Sequence, residues 1–192
     1  MDKMKGIKFN AEEVNGILSE RKTMFRSVCK MQPGNDLTGT NKPMESIVDG
    51  ISKGRWFWFA KQYDWWFEDC PFGKIGDKVF VKETFSIWND SVIYRANNLE
   101  YGIITKWKPS THMTQEQSLI TLEITDIKVE RLQDISEDDA VKEGLEPIIY
   151  KGGTSYTFKG GNKTGYGSAR GAFSAYWDSI YKKNPAKQWA AN

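Results

Sequence analysis

The chain is poor in the residues that build metal centres and covalent cross-links. In 192 residues it has one histidine, His112, and two cysteines, Cys29 and Cys70, which form no CxxC pair. That argues against a disulfide scaffold and provides no zinc-ligand spacing. No metal or cofactor is expected. No apolar run approaches the ~20 residues that span a bilayer, and the N-terminus carries no secretory apolar segment. Charge of one sign is also lacking: 27 Lys and Arg face 25 Asp and Glu, for a net +2. Any basic surface must therefore be local, and nucleic acid is a compatible partner without being demanded. A soluble cytoplasmic protein without a membrane partner is the expectation. Internal repeats and domain linkers are absent as well, so one domain over residues 1–192 is expected.

What is present is most informative at Cys70-Pro71-Phe72-Gly73-Lys74-Ile75-Gly76-Asp77, a glycine-bounded turn, followed by Lys78 to Phe85. Alternation places Val79, Val81 and Glu83 on one face of a strand, with Phe80, Lys82 and Thr84 on the other. A carboxylate on the apolar face needs a partner, because an unpaired buried charge is costly. Glu83 is then a base or hydrogen-bond acceptor in a pocket; alternatively the strand ends at Val81 and Glu83 is solvated.

The aromatic content is high, with eight Trp. Eight rings fall within residues 56–67, inside an aromatic-rich insertion of about 50–68. Trp56 and Trp58 share one face and Phe57 and Phe59 the other. One face packs into the core, and the other offers a platform for stacking bases. Residues 33–46 read as loop. Residues 151–171 are glycine-rich, with Lys151, Lys159, Lys163 and Arg170 between Tyr156, Phe158 and Tyr166. They form either a mobile basic-aromatic flap over a site or a disordered surface loop; no phosphate-loop pattern is present.

Helices are expected at three places. Asn10 and Glu13 form a capping box ahead of Val14, Ile17 and Leu18, with a stop near Ser19 or Glu20. Ser136 caps a short acidic helix that Gly144 ends. Phe173, Tyr176, Trp177 and Ile180 mark an amphipathic helix. Between them, Ser91 to Ala96 reads as a strand, and Ile120 to Leu132 as the longest strand, with a phase slip that suggests a bulge near Thr125-Asp126 or two strands bent at a corner. Strands outnumber helices, so a small mixed barrel or α+β domain follows. The segment Arg21 to Arg26 is basic, either a solvated face or an anion contact. Lys106-Trp107-Lys108-Pro109-Ser110-Thr111-His112-Met113 is a polar loop in which His112 is structural or binding.

Four blocks together resemble the ASCH-domain proteins of phage and prophage type, within the PUA-like superfamily. They are Glu20 to Arg26, Cys70 to Phe85, Trp107 to Met113, and Ile120 to Leu145 with Arg131-Leu132-Gln133-Asp134-Ile135-Ser136; the helix Phe173 to Tyr181 also fits. The resemblance spans nearly the whole chain. It implies an α+β, PUA-like small β-barrel with flanking helices and a glycine-rich insertion. It also implies a cleft lined by the first two blocks, and RNA or nucleic-acid binding. A phage-encoded member would work in the cytoplasm of a bacterial host. Relatives of this type continue with a further apolar strand after the point where this sequence reaches Asn192; if that strand closes the barrel, an open sheet edge is expected here.

Some small members of the family are amidohydrolases that deacetylate N4-acetylcytidine with a Lys, a Thr and a Glu, under a motif G-x-K-x-x-T-x-R. Its Lys falls on Lys22 and the catalytic Glu on Glu83. The Gly falls on Glu20, the Thr on Phe25 and the Arg on Ser27, so three signature positions depart.

Two classes of function follow. One is a non-catalytic module for RNA, DNA or a nucleoside. Its binding residues are drawn from Lys22, Thr23, Arg26, Trp56, Trp58, Lys82, Glu83, Arg95, Trp107, Ser110 and His112. Cations contact phosphate, Glu83 accepts from an exocyclic amine, and a ring stacks. The other is an amidohydrolase on an acylated nucleoside such as N4-acetylcytidine, with Lys22 and Glu83 as an acid–base pair. A phage protein that binds a host protein through exposed aromatics is a third reading. The first two require Lys22 and Glu83 to meet in one hollow.

Overall fold

Helix and strand interleave along the chain, and the class is α+β. The structure is a computed structural model. It describes residues 4–29, 44–45, 55–59, 65–97 and 106–191, with only the backbone of 44–45, 55–59, 65–68 and 191. Most of the loop-like stretch 33–46 thus lies outside the described residues. The chain groups into two compact units, Met1–Val14 with Cys29–Val129, and Asn15–Val28 with Glu130–Asn192. Among the described residues, the strands form four small sheets, none of which closes on itself.

In the first unit, β1 (Lys5–Lys8) runs parallel to β5 (Lys78–Lys82), and β5 pairs antiparallel with β8 (Thr121–Glu123). The glycine-bounded turn sets the start of β5. Gly76 has φ +89°, a conformation that suits a residue without Cβ. Its N–H donates to Ile124 O (2.8 Å), and Ile124 N–H donates to Asp77 O (2.9 Å). The Asp77 carboxylate accepts from Lys74 N–H at 2.9 Å and closes the turn. Gly6 lies opposite Phe80. A Cβ there would come within 2.7 Å of Phe80 Cζ and 2.6 Å of Lys82 Cδ, so the glycine lets both side chains lie across β1.

β6 (Phe85–Trp88) and β7 (Ser91–Tyr94) form a hairpin whose two turn residues, Asn89 and Asp90, both have positive φ. That is the turn whose twist matches paired strands. Phe85, Tyr94 and Met113 make a buried cluster with Val92 packed on it. The aromatic insertion contains a second hairpin, β3 (Arg55–Phe59) with β4 (Trp65–Asp69), flanked by β2 (Met44–Glu45).

The long strand expected over Ile120 to Leu132 is not present: regular pairing is confined to β8. Past Ile124 the Asp126 carboxylate accepts from the adjacent Ile127 N–H at 2.9 Å. This local bond takes the place of a cross-strand one and ends the ladder. The strand expected over Ser91 to Ala96 likewise ends at Tyr94, followed by a 3₁₀ turn, Arg95–Asn97.

Helix α1 (Ala11–Leu18) begins as the capping box requires. Asn10 Oδ1 accepts from Glu13 N–H at 2.9 Å, and Glu13 Oε2 accepts from Asn10 N–H at 2.8 Å. Val14 is buried, but Leu18, expected on the same apolar stripe, is exposed.

In the second unit, α2 (Glu137–Lys142) is capped by the Ser136 hydroxyl, which accepts from Asp139 N–H at 3.0 Å. α3 (Ala169–Ile180) buries Phe173 and Trp177 against Ile135, Ala140 and Leu145. Ile180, the last helical residue, lies past this core and is exposed. Residues 151–171 do not form a flap or a loose loop. β9 (Glu146–Tyr150) and β10 (Gly153–Thr157) make a hairpin, and Tyr166 returns to bridge Tyr156. Phe158 stacks on Tyr166 (6.2 Å between ring centres) and meets Tyr176 of α3 (5.3 Å), so the aromatics of this segment anchor it to the core.

Candidate functional site

The first unit carries the most unusual group, Glu83. It follows β5 directly, on the face of Val79 and Val81, and keeps 4% of its exposure. Its only hydrogen-bond partner among the described residues is Ala96 N–H, which donates to Oε2 at 3.3 Å. Burial pushes the Glu83 carboxyl above the ordinary carboxylate range, and the bond from Ala96 offsets part of that rise. Burial also raises the neighbouring Tyr94 phenol, and the Glu83 charge raises it further. Tyr94 O–H donates to Gln117 O at 2.8 Å, which leaves Glu83 without that phenol as a donor.

The native state therefore binds the Glu83 proton more tightly than the unfolded chain does. Its contribution to stability is greatest below the unfolded value and falls as pH rises through the folded one. Glu83→Gln keeps the shape and removes the charge. The variant should match the parent in urea unfolding near pH 4 and exceed it at pH 7. Equal offsets at both pH values would mean that the carboxyl is not desolvated.

Around Glu83 the segment after β7 and the loop before Met113 are drawn together. Arg95 N–H donates to Thr84 O at 3.0 Å, and its guanidinium lies 5.1 Å from the Trp107 ring centre. Lys108 bridges Phe85 through both backbone groups (2.7 and 3.2 Å). The Lys82 ammonium donates to Thr111 O at 2.9 Å and fixes the 3₁₀ turn Ser110–His112. His112 and Lys106 are exposed, and Ser110 and Trp107 half-buried. Five of the expected site residues besides Glu83 thus belong to one unit: Lys82, Arg95, Trp107, Ser110 and His112. Trp56 and Trp58 are in β3 of the same unit, described by backbone alone.

Lys22, Thr23 and Arg26 belong to the second unit, where a different arrangement holds them. The Lys22 stem lies between two glycines: a Cβ on Gly16 or on Gly144 would sit 3.1 Å from Lys22 Cβ. Gly144 has φ +99°, so it both ends α2 and leaves room for the lysine. Lys22 Nζ donates to Glu143 Oε2 and to Glu143 O, each at 2.9 Å. Both side chains of this pair keep 3% exposure. Thr23 N–H and Met24 N–H both donate to Lys142 O (2.9 and 3.0 Å), so the basic segment caps the α2 C-terminus. Arg26 bonds Glu143 Oε1 (2.8 Å) and Glu130 Oε1 (2.5 Å), and lies over the Phe173 ring.

The segment Arg21 to Arg26, expected as either a solvated face or an anion contact, is at Lys22 and Arg26 a mostly buried ion-pair network. Three carboxylates, Glu130, Asp139 and Glu143, surround two cations. Lys22 and Glu83 fall in different units, each described within its own. Sequence reasoning missed Glu143 as the partner of Lys22. The signal available was Gly144, which put Glu143 in the final turn of a short helix; nothing in the sequence linked it to a residue 121 positions away. No family model, curated protein or solved structure matches the chain.

Proposed function

We propose that the first unit binds a nucleobase within RNA or DNA, or a free nucleoside, without catalysis, as a PUA-like module of ASCH type. The observation that carries this reading is Glu83: a buried carboxyl held by one long backbone bond. Such a group has hydrogen-bonding capacity left for a ligand, and its raised proton affinity lets it accept from an amine or, protonated, donate to a ring nitrogen or carbonyl. Trp107 under the Arg95 guanidinium supplies a flat cationic surface of the kind that stacks unpaired bases. Arg95, Lys106 and Lys108 supply charge for phosphate. Lys22 and Arg26 are engaged by carboxylates, so the reader proposed here departs from the sequence expectation that Lys22 and Glu83 share one hollow and uses Glu83 without Lys22; a hydrolase would need a free Lys22.

The mixed sheet β1–β5–β8 is compatible with part of a PUA-like barrel, with β5 central. Among the described residues no helix is long and apolar enough to cross a membrane; a cytoplasmic location goes with the nucleic-acid reading.

The test is fluorescence anisotropy with labelled single-stranded oligonucleotides and competition by nucleosides. Trp107→Ala should weaken binding by roughly 5- to 150-fold, the range that ~1–3 kcal/mol of stacking implies. Glu83→Gln should change which base competes best. Absence of binding to any oligonucleotide or nucleoside would overturn the reading. Release of cytidine from N4-acetylcytidine, abolished by Glu83→Gln, would replace it with the hydrolase.

A further inference from the structure

The charges of the second unit are segregated along its sequence. Residues 130–146 hold seven acids and only two cations. Five of those acids are engaged inside the unit: Glu130, Asp139 and Glu143 on Lys22 and Arg26, Glu146 on Arg21, and Glu137 on the first N–H groups of α3. Residues 147–192 hold six lysines and one arginine against a single acid, Asp178. Asp178 is itself occupied by Trp189 N–H at 2.6 Å.

The six lysines are all exposed. Lys187 lies over the Tyr181 ring. Among the described residues, Lys151, Lys163, Lys182 and Lys183 have no carboxylate partner. Glu20, Asp134, Glu137 and Asp138 are exposed, but residues 147–192 set six exposed lysines and Arg170 against the half-buried Asp178, so this part of the unit has a positive exterior although the whole chain is nearly neutral. The hairpin distributes that charge over a length. Lys151 is in the turn before β10, and Lys159 and Lys163 are in the loop after it. Five strand residues separate them, about 17 Å at ~3.3 Å per residue.

We propose that the second unit binds the phosphate backbone of single-stranded nucleic acid through these lysines, without reading sequence. The proposal goes beyond base recognition at Glu83 and uses none of its residues. Point charges on flexible stems, spread over about five stacked nucleotides at ~3.4 Å each, suit a chain of phosphates. Next to Lys151, Tyr150 is a half-exposed ring at the turn, and it can stack on an unpaired base.

The experiment uses the full chain and the substitutions Lys151→Gln, Lys163→Gln, Lys182→Gln and Lys183→Gln combined. All four residues are exposed, and the replacements are expected to leave the thermal midpoint unchanged. Binding of a labelled 12-nucleotide oligothymidylate is measured across a series of salt concentrations. For the parent, log K should fall linearly with log salt, and the variant should lose at least 10-fold in affinity. Its slope should be shallower by up to about 3, from ~0.7 per contact on a single strand. An unchanged slope and affinity in the variant would overturn the proposal. So would tighter binding of the parent to phosphatidylserine vesicles than to the oligonucleotide, which would assign the lysines to a membrane surface. Loss of base preference in Glu83→Gln with the slope intact would concern the base-reading site alone, so failures of the two proposals are distinguishable.

Discussion

Lys22→Ala is expected to destabilise the second unit by about 3 kcal/mol, at the lower end of what removing one partner of a buried ion pair costs. Three losses combine. Among the described residues, Glu143 keeps only Arg26 as a cation, at 2.8 Å. Its backbone carbonyl, near the α2 C-terminus, loses the ammonium that neutralised it. The space between Gly16 and Gly144, which the lysine stem fills, opens. Chemical denaturation of the single variants Lys22→Ala and Glu143→Gln and of the double variant gives the coupling directly. The double variant should be less destabilised than the sum of the two single ones, because no unpaired charge then remains buried. Additive effects would mean that the two groups do not stabilise each other. If Lys22→Ala also abolished oligonucleotide binding while remaining fully folded, the assignment of Lys22 to the scaffold would fail.

Phe173→Ala should cost more, about 3–5 kcal/mol, the usual range for removing a large aromatic from a core. Phe173 retains 1% exposure. Its ring meets Trp177 at 5.8 Å, Trp189 at 6.2 Å and Tyr176 at 6.4 Å between centres, in tilted or edge geometries. The Arg26 guanidinium lies 5.8 Å from the same ring centre. The residue therefore joins α3, the C-terminal turn and the ion-pair network. Differential scanning calorimetry should show a large fall in the transition of the second unit. Phe173→Leu, which keeps most of the apolar volume, should recover about half of the loss. A fall of under ~1 kcal/mol for Phe173→Ala would show that the cavity collapses and that the ring is not central to packing.

These two effects come from contacts that sequence reasoning reached unequally. Phe173 was legible because it recurs with Tyr176 and Trp177 at helical spacing, and a stripe of rings on one face has to be covered. The role of Lys22 was not legible. A cluster of cations in a short segment reads the same whether it faces solvent, a phosphate or a carboxylate brought from far along the chain. Glu83 was half legible. Alternation put it on the buried face, but a pattern of residues shows neither that Ala96 N–H is its partner nor that Tyr94 is oriented toward Gln117 O instead. The region 151–171 misled for a physical reason. Seven glycines in 21 residues suggest a loose chain, yet Gly153 and Gly165, at φ +146° and +75°, are where the hairpin and its return turn.

The sequence by itself determined the local events. The Asn10–Glu13 box, the Ser136 cap and the Lys74–Asp77 bond of the turn are each made between residues three apart in the chain, so they could be read from the order of the residues. The α+β mixture follows from the same short-range patterns. Only the tertiary structure decided where the charges ended. Ion pairs form across any separation in sequence once packing brings the groups within ~4 Å, and low exposure sets their strength. Neither quantity is written in the order of the residues. This is why one carboxylate, Glu143, became a partner in the scaffold while another, Glu83, was left buried with, among the described residues, a single backbone donor.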